Sequence, residues 1–345
     1  MNRTQKHYIA YMDILGYKDY LKSAPDKSQE YLNTILDAIK KVKQSVSIFE
    51  NRTMPMFRID GGLRYKVFSD NIMLCMPVGE GKDEVRRAIV FLIFVASIQR
   101  GLVLQHGLIV RGGITSGDLF INDDIVYGQG LIDAVTLEQT AEYPCIIVSD
   151  SLQKELSALR RDLGAEYQKV KEIVQRINKT GEATKEEDQY LSNNLEQVAK
   201  EVYYSSSLRE LLRYYENEKA FINYLFDLSF NTLLGYEFAA FVNKVAAENP
   251  EKYKGLVETY EDYYAILSAH KEIVLDKVNH YCNYNDIDKT NKAAIIEREK
   301  IIRKYIWLLR YHYTMCLERK FPAGIFPYQF GCDSTVLRTI VKIES

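Results

Sequence analysis

The sequence predicts an α+β protein, in which a ferredoxin-like βαββαβ palm is followed by an all-α helical region. Over residues 6–150, runs of β-branched and aromatic residues alternate with amphipathic stretches in the order β-α-α-β-β-α-β-α-β. Beyond Ser149, apolar residues recur at spacings of three and four, as in helices. We therefore expect three units: the palm at 1–150, a helical hairpin at 151–205 and a helical C-terminal domain at 206–345.

The composition is that of a globular chain without a marked attraction for polyanions. The 345 residues are 47% hydrophobic and 27% charged, with a net charge of −2, so we expect no nucleic-acid partner. The five cysteines form no C-x-x-C pair, and we interpret them as reduced core residues of a cytoplasmic protein. The most apolar run, Ala88–Ile98, is too short to span a bilayer, and the first residues lack a signal-peptide core. We expect no membrane insertion.

Two acidic residues are the first candidates for a functional site. Asp13 ends an apolar strand in HYIAYMDILGY, and Asp70 lies in a turn triplet between two strand-forming runs, so that residues 65–75 are predicted to form a β-hairpin. Carboxylates at the ends of adjacent strands can share hard divalent cations and leave positions open for phosphate oxygens. The alternative is that Asp13 caps the next helix and Asp70 is only a turn residue.

The same patterns predict the rest of the palm. An apolar strand is expected to end at Arg111-Gly112-Gly113, where the glycines either let the backbone pass close to another chain or a ligand, or mark a bulge. The other predicted elements are an amphipathic helix from Tyr31 to Val46, a buried helix at 84–100 after the turn Gly79–Lys82, a turn at Asn122–Asp124, a helix opening at Tyr127–Gly130 and running to about Ala141, and a strand at Cys145–Val148.

Four blocks stand in the order and spacing of one known family. They are Asp13-Ile14-Leu15-Gly16-Tyr17, similar to D-I-x-G-F; Phe68-Ser69-Asp70, similar to I-G-D; Arg111-Gly112-Gly113-Ile114-Thr115-Ser116-Gly117, similar to R-x-G-I-x-x-G; and Gly128 to Glu138, GQGLIDAVTLE, similar to G-D-T-V-N-x-A-x-R-L-E. Together they resemble the catalytic domain of class III nucleotide cyclases, the adenylate and guanylate cyclase family. The resemblance covers the first 150 residues.

The resemblance implies a set of site residues. Asp13, the Ile14 backbone carbonyl and Asp70 would hold two Mg²⁺ or Mn²⁺ ions, and Arg111 is a candidate cation for charge that develops on the phosphate. The residues implied to bind the nucleotide are Ile14, Leu15, Gly16, Tyr17, Lys66 and Ser69. Lys66 falls where adenylate cyclases keep a base-reading lysine; its alternative is a solvent-facing strand lysine. The alternative for Arg111 is a strand-end arginine bonded to a neighbouring loop.

The chain departs from the family at two positions. Ile132 and Thr136 stand where the family has an asparagine that orients the ribose and an arginine that neutralises charge on the transferred phosphate. Losing such an arginine can cost roughly three to five orders of magnitude in rate. Divergence around the base and ribose, with both metal carboxylates kept, more loosely resembles the bacterial pyrimidine cyclases, which make cyclic UMP or cyclic CMP in anti-phage defence.

Three functions follow from these residues. The first is an enzyme that makes a cyclic nucleotide from a nucleoside triphosphate, as a cytoplasmic homodimer. The second is a nucleotide-binding or scaffold protein that has lost turnover, as Ile132 and Thr136 would suggest. The third is a palm-type polymerase or dinucleotide cyclase, which the single acid of Ser69-Asp70-Asn71 disfavours, because those families carry a G-G-D-[DE] hairpin.

The region after residue 150 is predicted as helices used for packing. An apolar stripe runs from Leu152 to Ile177, and Thr184 with Glu187 forms a capping box for the next helix. Four tyrosine-rich segments after residue 203 are also predicted as helices: LRELLRYYENEKAFINYLF, LLGYEFAAFVNKVA, YEDYYAILSAHKEIVLDKV and EREKIIRKYIWLLRYHYTMCLE. The last contains Tyr305, Trp307, Leu308 and Tyr311, which read as a core helix. Alternatively, Arg310 or His312 faces a nucleotide or a sensed ligand.

Overall fold

The protein is seen in a computed structural model that describes most of the chain. The described residues are 3–16, 62–159, 164–215, 219–250, 263–282 and 290–319, with scattered helical positions between 29 and 40. Three sequence predictions lie wholly or largely outside this part: the helix expected after Gly16, most of the helix from Tyr31 to Val46, and a last strand at Val336 to Ile343.

A mixed sheet forms the centre of the protein, which confirms the α+β class. Its strands are β1 (Gln5–Ile14), β2 (Arg64–Phe68), β3 (Asn71–Pro77), β4 (Val110–Ile121), β5 (Val126–Tyr127), β6 (Ile146–Val148), β7 (Leu212–Tyr215) and β8 (Lys219–Ile222). Their order across the sheet is β2-β3-β1-β4-β6-β8-β7, and β5 pairs with β4. β4 and β6 run parallel, whereas the other pairs are antiparallel.

The helices cover both faces of this sheet and build the rest of the chain. They are α1 (Lys82–His106), α2 (Gln129–Thr140), α3 (Asp150–Leu159), α4 (Ala165–Thr180), α5 (Lys185–Leu211), α6 (Phe230–Leu234), α7 (Tyr236–Glu248), α8 (Tyr263–Cys282) and α9 (Lys292–Glu318). α1 and the alternate residues of β1 that face it belong to the main core, which continues through the helical region. A second, smaller core lies between α2 and the opposite face of the sheet.

α1 is the apolar helix that the sequence predicts, and it is longer than expected. Among the described residues it is the one helix long and apolar enough to cross a membrane, and 78% of its apolar window is buried inside the protein. It ends at Gly107, whose left-handed conformation lets its amide bond the Val103 carbonyl at 2.9 Å. The apolarity of α1 therefore matches its burial against the sheet.

α2 packs very closely onto β4, and glycines make this possible. A Cβ atom added at Gly113 would lie 2.7 Å from the carbonyl oxygen of Ala134 and 2.8 Å from the amide nitrogen of Glu138. One added at Gly117 would lie 2.8 Å from Gly130 Cα. These glycines lie inside β4, so the expected strand end at Arg111-Gly112-Gly113 is wrong: β4 begins at Val110 and runs through them. Glycine at position 113 leaves room for the backbone of α2.

The prediction that the chain is all-α beyond residue 150 is wrong at one place. The segment expected as a helix from Leu208 forms the end of α5 and then β7 and β8. β8 pairs with β6 through Phe221 opposite Ile147, so this hairpin extends the central sheet. Aromatic and branched residues favour strands where a pairing partner exists, and β6 supplies that partner. The domain boundaries at 150 and 205 remain predictions.

The capping box predicted at Thr184 and Glu187 is present. Thr184 and Glu187 form the capping box that starts α5: the Thr184 hydroxyl accepts from the Glu187 amide, and the Glu187 carboxylate accepts from the Thr184 amide. The expected stripe from Leu152 to Ile177 is divided between α3 and α4, and residues 160–163 between them are not described.

A buried polar chain crosses the core between β8, α8 and α9. Tyr224 Oη lies 2.6 Å from His270 Nε2, His270 Nδ1 lies 3.1 Å from His312 Nδ1, and His312 Nε2 lies 3.4 Å from Cys316 Sγ. Burial lowers the pKa of His312 to about 4, with the charge of Lys271 adding to the effect, and it lowers the pKa of His270 well below its usual value. Both imidazoles are therefore neutral at pH 7.

Replacing Gly113 by alanine should destabilise the protein. The added methyl group meets backbone atoms of α2, which cannot rotate away, so we expect Gly113→Ala to lower the free energy of unfolding by about 1–3 kcal/mol. Denaturant unfolding measures this. Gly101→Ala is the matched control, because Gly101 lies inside α1 with nothing within 4 Å of the added Cβ, and it should stabilise by about 0.5–1 kcal/mol. Equal effects at both sites would contradict the close-packing interpretation.

Stability should fall as the pH drops from about 6.5 towards 4. An unfolded histidine binds a proton in this range whereas folded His312 does not, so protons favour the unfolded state. Chemical unfolding at several pH values in this range should show a decrease in the free energy of unfolding. His312 alone should contribute about 3 kcal/mol to this decrease. His312→Gln should reduce this pH dependence, with the part due to His270 remaining, and His280→Gln, at an exposed position, should not change it. A pH dependence that persists unchanged in His312→Gln would refute the assignment.

Candidate active site

The structure brings the two predicted acids to one end of the sheet. Asp13 of β1 pairs with Asn71 of β3, the residue that follows Asp70. The Ile14 amide donates to the Asp70 carbonyl at 3.0 Å, which fixes the end of β1 to the β2–β3 turn. The Asn71 side-chain amide donates to Asp70 Oδ1 at 3.1 Å, and Asp70 is 9% exposed. The predicted hairpin thus presents Asp70 beside the end of the Asp13 strand.

The turn that carries Asp70 has an uncommon backbone conformation. Ser69 has φ 57°, and it is the one non-glycine residue in the described part of the chain with a positive φ. Ser69 and Asp70 are the two residues between β2 and β3, and Ser69 is the first of them. A positive φ at the first position of a two-residue hairpin turn is usually taken by glycine.

Arg111 joins the same cluster through Glu138, which the sequence analysis did not select as a site residue. Arg111 Nη2 lies 2.5 Å from Glu138 Oε1 and 4.0 Å from Asp13 Oδ2, and Arg111 Nε donates to Glu138 Oε1 at 2.7 Å. Arg111 Nη1 also donates to the Ala141 carbonyl at 3.4 Å. The Arg111 guanidinium is therefore bonded to α2 and its C-terminal end.

The pKa of Tyr11 is affected by the charges of the cluster. Its hydroxyl pKa is raised, first by burial and then by the negative charges of Glu138, Asp13 and Asp70. The three carboxylates therefore act on one phenol, and Arg111 lies beside two of them. The described acids at this place are of the type that binds divalent cations.

The oxygen donors at this end of the sheet fit magnesium in one specific way. No group of three or more His, Cys, Asp and Glu that could hold a metal ion occurs within the described residues. Mg²⁺ is often bound by one or two carboxylates, with water and substrate phosphates completing its shell. Asp13 and Asp70 match that donor set, so a bound triphosphate would have to supply part of the coordination.

The other residues predicted to bind the nucleotide do not all lie beside Asp13. Leu15 continues from β1 and its amide donates to the Ile109 carbonyl at 2.8 Å, while Gly16 has φ 85° and no atom of the described residues within 4 Å of an added Cβ. Tyr17 lies outside the described residues. Lys66 sits on β2 opposite Met73, and its ammonium group donates to the Asp123 carbonyl in the turn after β4. Lys66 is thus held on the adjacent loop and not at Asp13.

The two positions that depart from the family lie on the outer face of α2. Ile132 is 59% exposed, and the Thr136 hydroxyl donates to the Ile132 carbonyl of its own helix at 2.8 Å. Ile125 and Tyr127 near the β4–β5 turn are also exposed, at 55% and 71%. Neither Ile132 nor Thr136 supplies a charge at this face.

His312, one of the alternative candidates in the last helix, is not part of this cluster. His312 is buried between His270 and Cys316, and α9 serves as the predicted core helix, with Leu308 and Tyr311 buried. The residue that sequence reasoning missed at the site is Glu138. Its position on the buried face of α2, one turn after Ala134, was the signal that could have paired it with Arg111.

Comparison with known proteins found structural likenesses at low identity. No protein-family model and no curated protein matches the chain. The adenylyl cyclase CyaB from P. aeruginosa is similar over 45% of this chain and 82% of its own, with 12% identity and a TM-score of 0.35. A bacterial light-regulated adenylyl cyclase is similar over 45% and 81%, with 16% identity and a TM-score of 0.28.

Replacing Ser69 by glycine should stabilise the hairpin. Glycine adopts a positive φ without the steric cost that other residues bear, so we expect Ser69→Gly to raise the free energy of unfolding by up to about 1 kcal/mol. Thermal or denaturant unfolding measures it. Ser69→Ala is the control, since it removes the hydroxyl but keeps the backbone cost, and it should bring no gain. A gain in Ser69→Ala equal to that in Ser69→Gly would mean that the backbone conformation is not the cause.

Proposed function

We propose that the chain is a metal-dependent nucleotide cyclase, which converts a nucleoside triphosphate into a 3′,5′-cyclic nucleotide and pyrophosphate. The observation that carries the proposal is the meeting of Asp13 and Asp70 at adjoining strand ends, joined by the hydrogen bond from Ile14 to Asp70. Each acid lies within a block that resembles the metal-binding motifs of class III cyclases. The strand order β2-β3-β1-β4 is compatible with the palm that carries those motifs.

Each residue has a defined part in this proposal. Asp13, Asp70 and the Ile14 carbonyl would hold two Mg²⁺ or Mn²⁺ ions, which supply the Lewis-acid charge that activates the 3′-hydroxyl and binds the triphosphate. Leu15 and Gly16 follow directly after Ile14, and in this proposal their backbone would face the phosphate oxygens. Arg111, bonded to Glu138, would offset part of the cluster's negative charge. The protein would thus contribute mainly position and charge.

The proposal also includes a partner and a substrate class. The exposed apolar residues Ile125, Tyr127 and Ile132 lie on or near the outer face of α2, and we propose that this face meets a second copy of the chain. The looser resemblance to pyrimidine cyclases makes UTP or CTP the expected substrate and anti-phage signalling the expected role.

A second function is favoured by one observation. Ile132 and Thr136 carry no charge, and the Thr136 hydroxyl donates a hydrogen bond to the Ile132 carbonyl in the same helix. Without a cation there, the chain would bind a nucleotide and a metal ion without turning the substrate over. This catalytically lapsed, nucleotide-binding protein is the alternative to the cyclase.

The decisive assay is product formation from each of ATP, GTP, CTP and UTP with Mn²⁺, followed by mass spectrometry for a cyclic monophosphate and pyrophosphate. We expect product from one triphosphate, and Asp70→Asn should reduce its rate by roughly 10²-fold or more, because it removes a charged oxygen ligand. Asp118→Asn is the matched control: Asp118 is an exposed carboxylate on β4, about 23 Å along the strand from Arg111, and its loss should leave the rate unchanged.

The outcomes separate the two functions. Circular dichroism must first show that Asp70→Asn remains folded. An unchanged rate in the folded variant would exclude Asp70 from the site. Metal-dependent nucleotide binding without any product would support the lapsed protein, and the absence of both binding and product would refute the proposed function.

A further inference from the structure

An aromatic contact joins the helical region to a segment beside the candidate site. Trp307 of α9 stacks on Tyr143, with ring centroids 5.5 Å apart and planes inclined by 8°. Tyr143 belongs to the short connection between α2 and β6, residues 141–145. This stack joins a helix near the end of the described chain to a segment next to the acidic cluster.

The connection that carries Tyr143 is fastened at both ends to β4. At its start, the Ala141 carbonyl accepts from Arg111 Nη1 at 3.4 Å, and at its end the Cys145 carbonyl accepts from the Gly112 amide at 3.1 Å. Between them, the Cys145 amide donates to the Tyr143 carbonyl at 2.8 Å. A shift of the Tyr143 ring would therefore be passed directly to the backbone that holds Arg111.

Trp307 itself is held firmly on the side of the helical region. It stacks on Tyr311 at 5.7 Å and meets the edge of Phe221 of β8 at 5.4 Å. Tyr311 in turn donates to Asn223 Oδ1 at 2.5 Å and accepts from the Leu225 amide at 2.9 Å. Trp307 thus moves with α9 and β8 and not as a free side chain.

Arg111 is the residue through which this contact acts on the site. Its guanidinium lies 4.0 Å from Asp13 Oδ2 but is bonded to Glu138 and to Ala141. A cation bound by Asp13 would compete with this guanidinium for the same carboxylate. The more firmly α2 and residues 141–145 hold Arg111, the more of the Asp13 charge is left for a metal ion.

We propose that Trp307 and Tyr143 are positioning residues, through which α9 holds Arg111 back from Asp13 and so sets the affinity of the site for a divalent cation. The inference rests on the proposed function, because it concerns the same acidic cluster. It assigns the helical region a regulatory part: whatever displaces α9 alters the Trp307 stack and weakens cation binding at Asp13.

The test uses a reporter that the chain already contains. Trp307 is the only tryptophan, so the intrinsic tryptophan emission of the full chain reports on this stack. We expect a saturable change in emission on addition of Mg²⁺ to the wild-type protein, and none in Asp13→Asn. Binding of Mn²⁺ is measured separately by the electron paramagnetic resonance signal of the free ion, which does not require turnover.

Three variants isolate the ring contact. Tyr143→Leu removes the ring, and we expect it to weaken Mn²⁺ binding roughly two- to tenfold, the range that an aromatic pair can supply. Tyr143→Phe keeps the ring and should bind as the wild type does. Tyr305→Leu is the matched control: Tyr305 is also on α9 and stacks on Tyr281 at 5.2 Å, away from α2, so its loss should not change Mn²⁺ binding. Tyr143→Met replaces Tyr143→Leu if that variant fails to fold.

The results distinguish this inference from the proposed function. Wild-type Mn²⁺ affinity in a folded Tyr143→Leu protein, or equal weakening in Tyr305→Leu, overturns the positioning role even if the protein makes a cyclic nucleotide. An emission that does not respond to Mg²⁺ overturns it as well. A wild-type protein that neither binds Mn²⁺ nor forms product refutes the proposed function, and this inference falls with it.

Discussion

The close contact between α2 and β4 is the constraint on which the candidate site depends. Because Gly113 lacks a side chain, the backbone of α2 reaches β4, and Glu138 comes within hydrogen-bonding distance of Arg111. Arg111 then stands beside Asp13, on the neighbouring strand. A helix seated even a methyl group farther away would leave Arg111 free to pair with Asp13. The absence of one Cβ atom therefore influences how charge is shared among the acids.

The described residues of the cluster are mainly acidic. Burial and then the charges of three carboxylates raise the pKa of Tyr11, and the Arg111 guanidinium lies beside two of those carboxylates. Glu138 is nearly buried and bonded to Arg111, so these two charges largely cancel. What remains is the charge of Asp13 and Asp70, at the place where β1 gives way to an open turn. In the proposed function, substrate phosphates would bring further negative charge, which the proposed metal ions would offset.

Local chemistry made part of this arrangement predictable from the sequence. The hairpin at Asp70 and the strand end at Asp13 follow from nearby residues, and their placement side by side follows from the pairing of β1 with β3. The role of Gly113 could not be predicted, because a glycine in the sequence is equally consistent with a nearby ligand, a β-bulge or a closely packed helix. β7 and β8 were missed because their partner, β6, lies more than 60 residues earlier in the chain. The pairing of Glu138 with Arg111 depends on how α2 packs on β4, so the sequence pattern alone did not predict it.

The position of β8 beside β6 also bears on how the chain folds. β6 is three residues long and lies between a parallel neighbour that precedes it and an antiparallel one that follows much later. Until β8 emerges from the ribosome, the edge of β6 is open, and an open edge is a surface on which other chains can pair. A fragment that stops at residue 150 would keep this edge exposed permanently and would tend to aggregate. The described sheet is completed only after synthesis has passed residue 222.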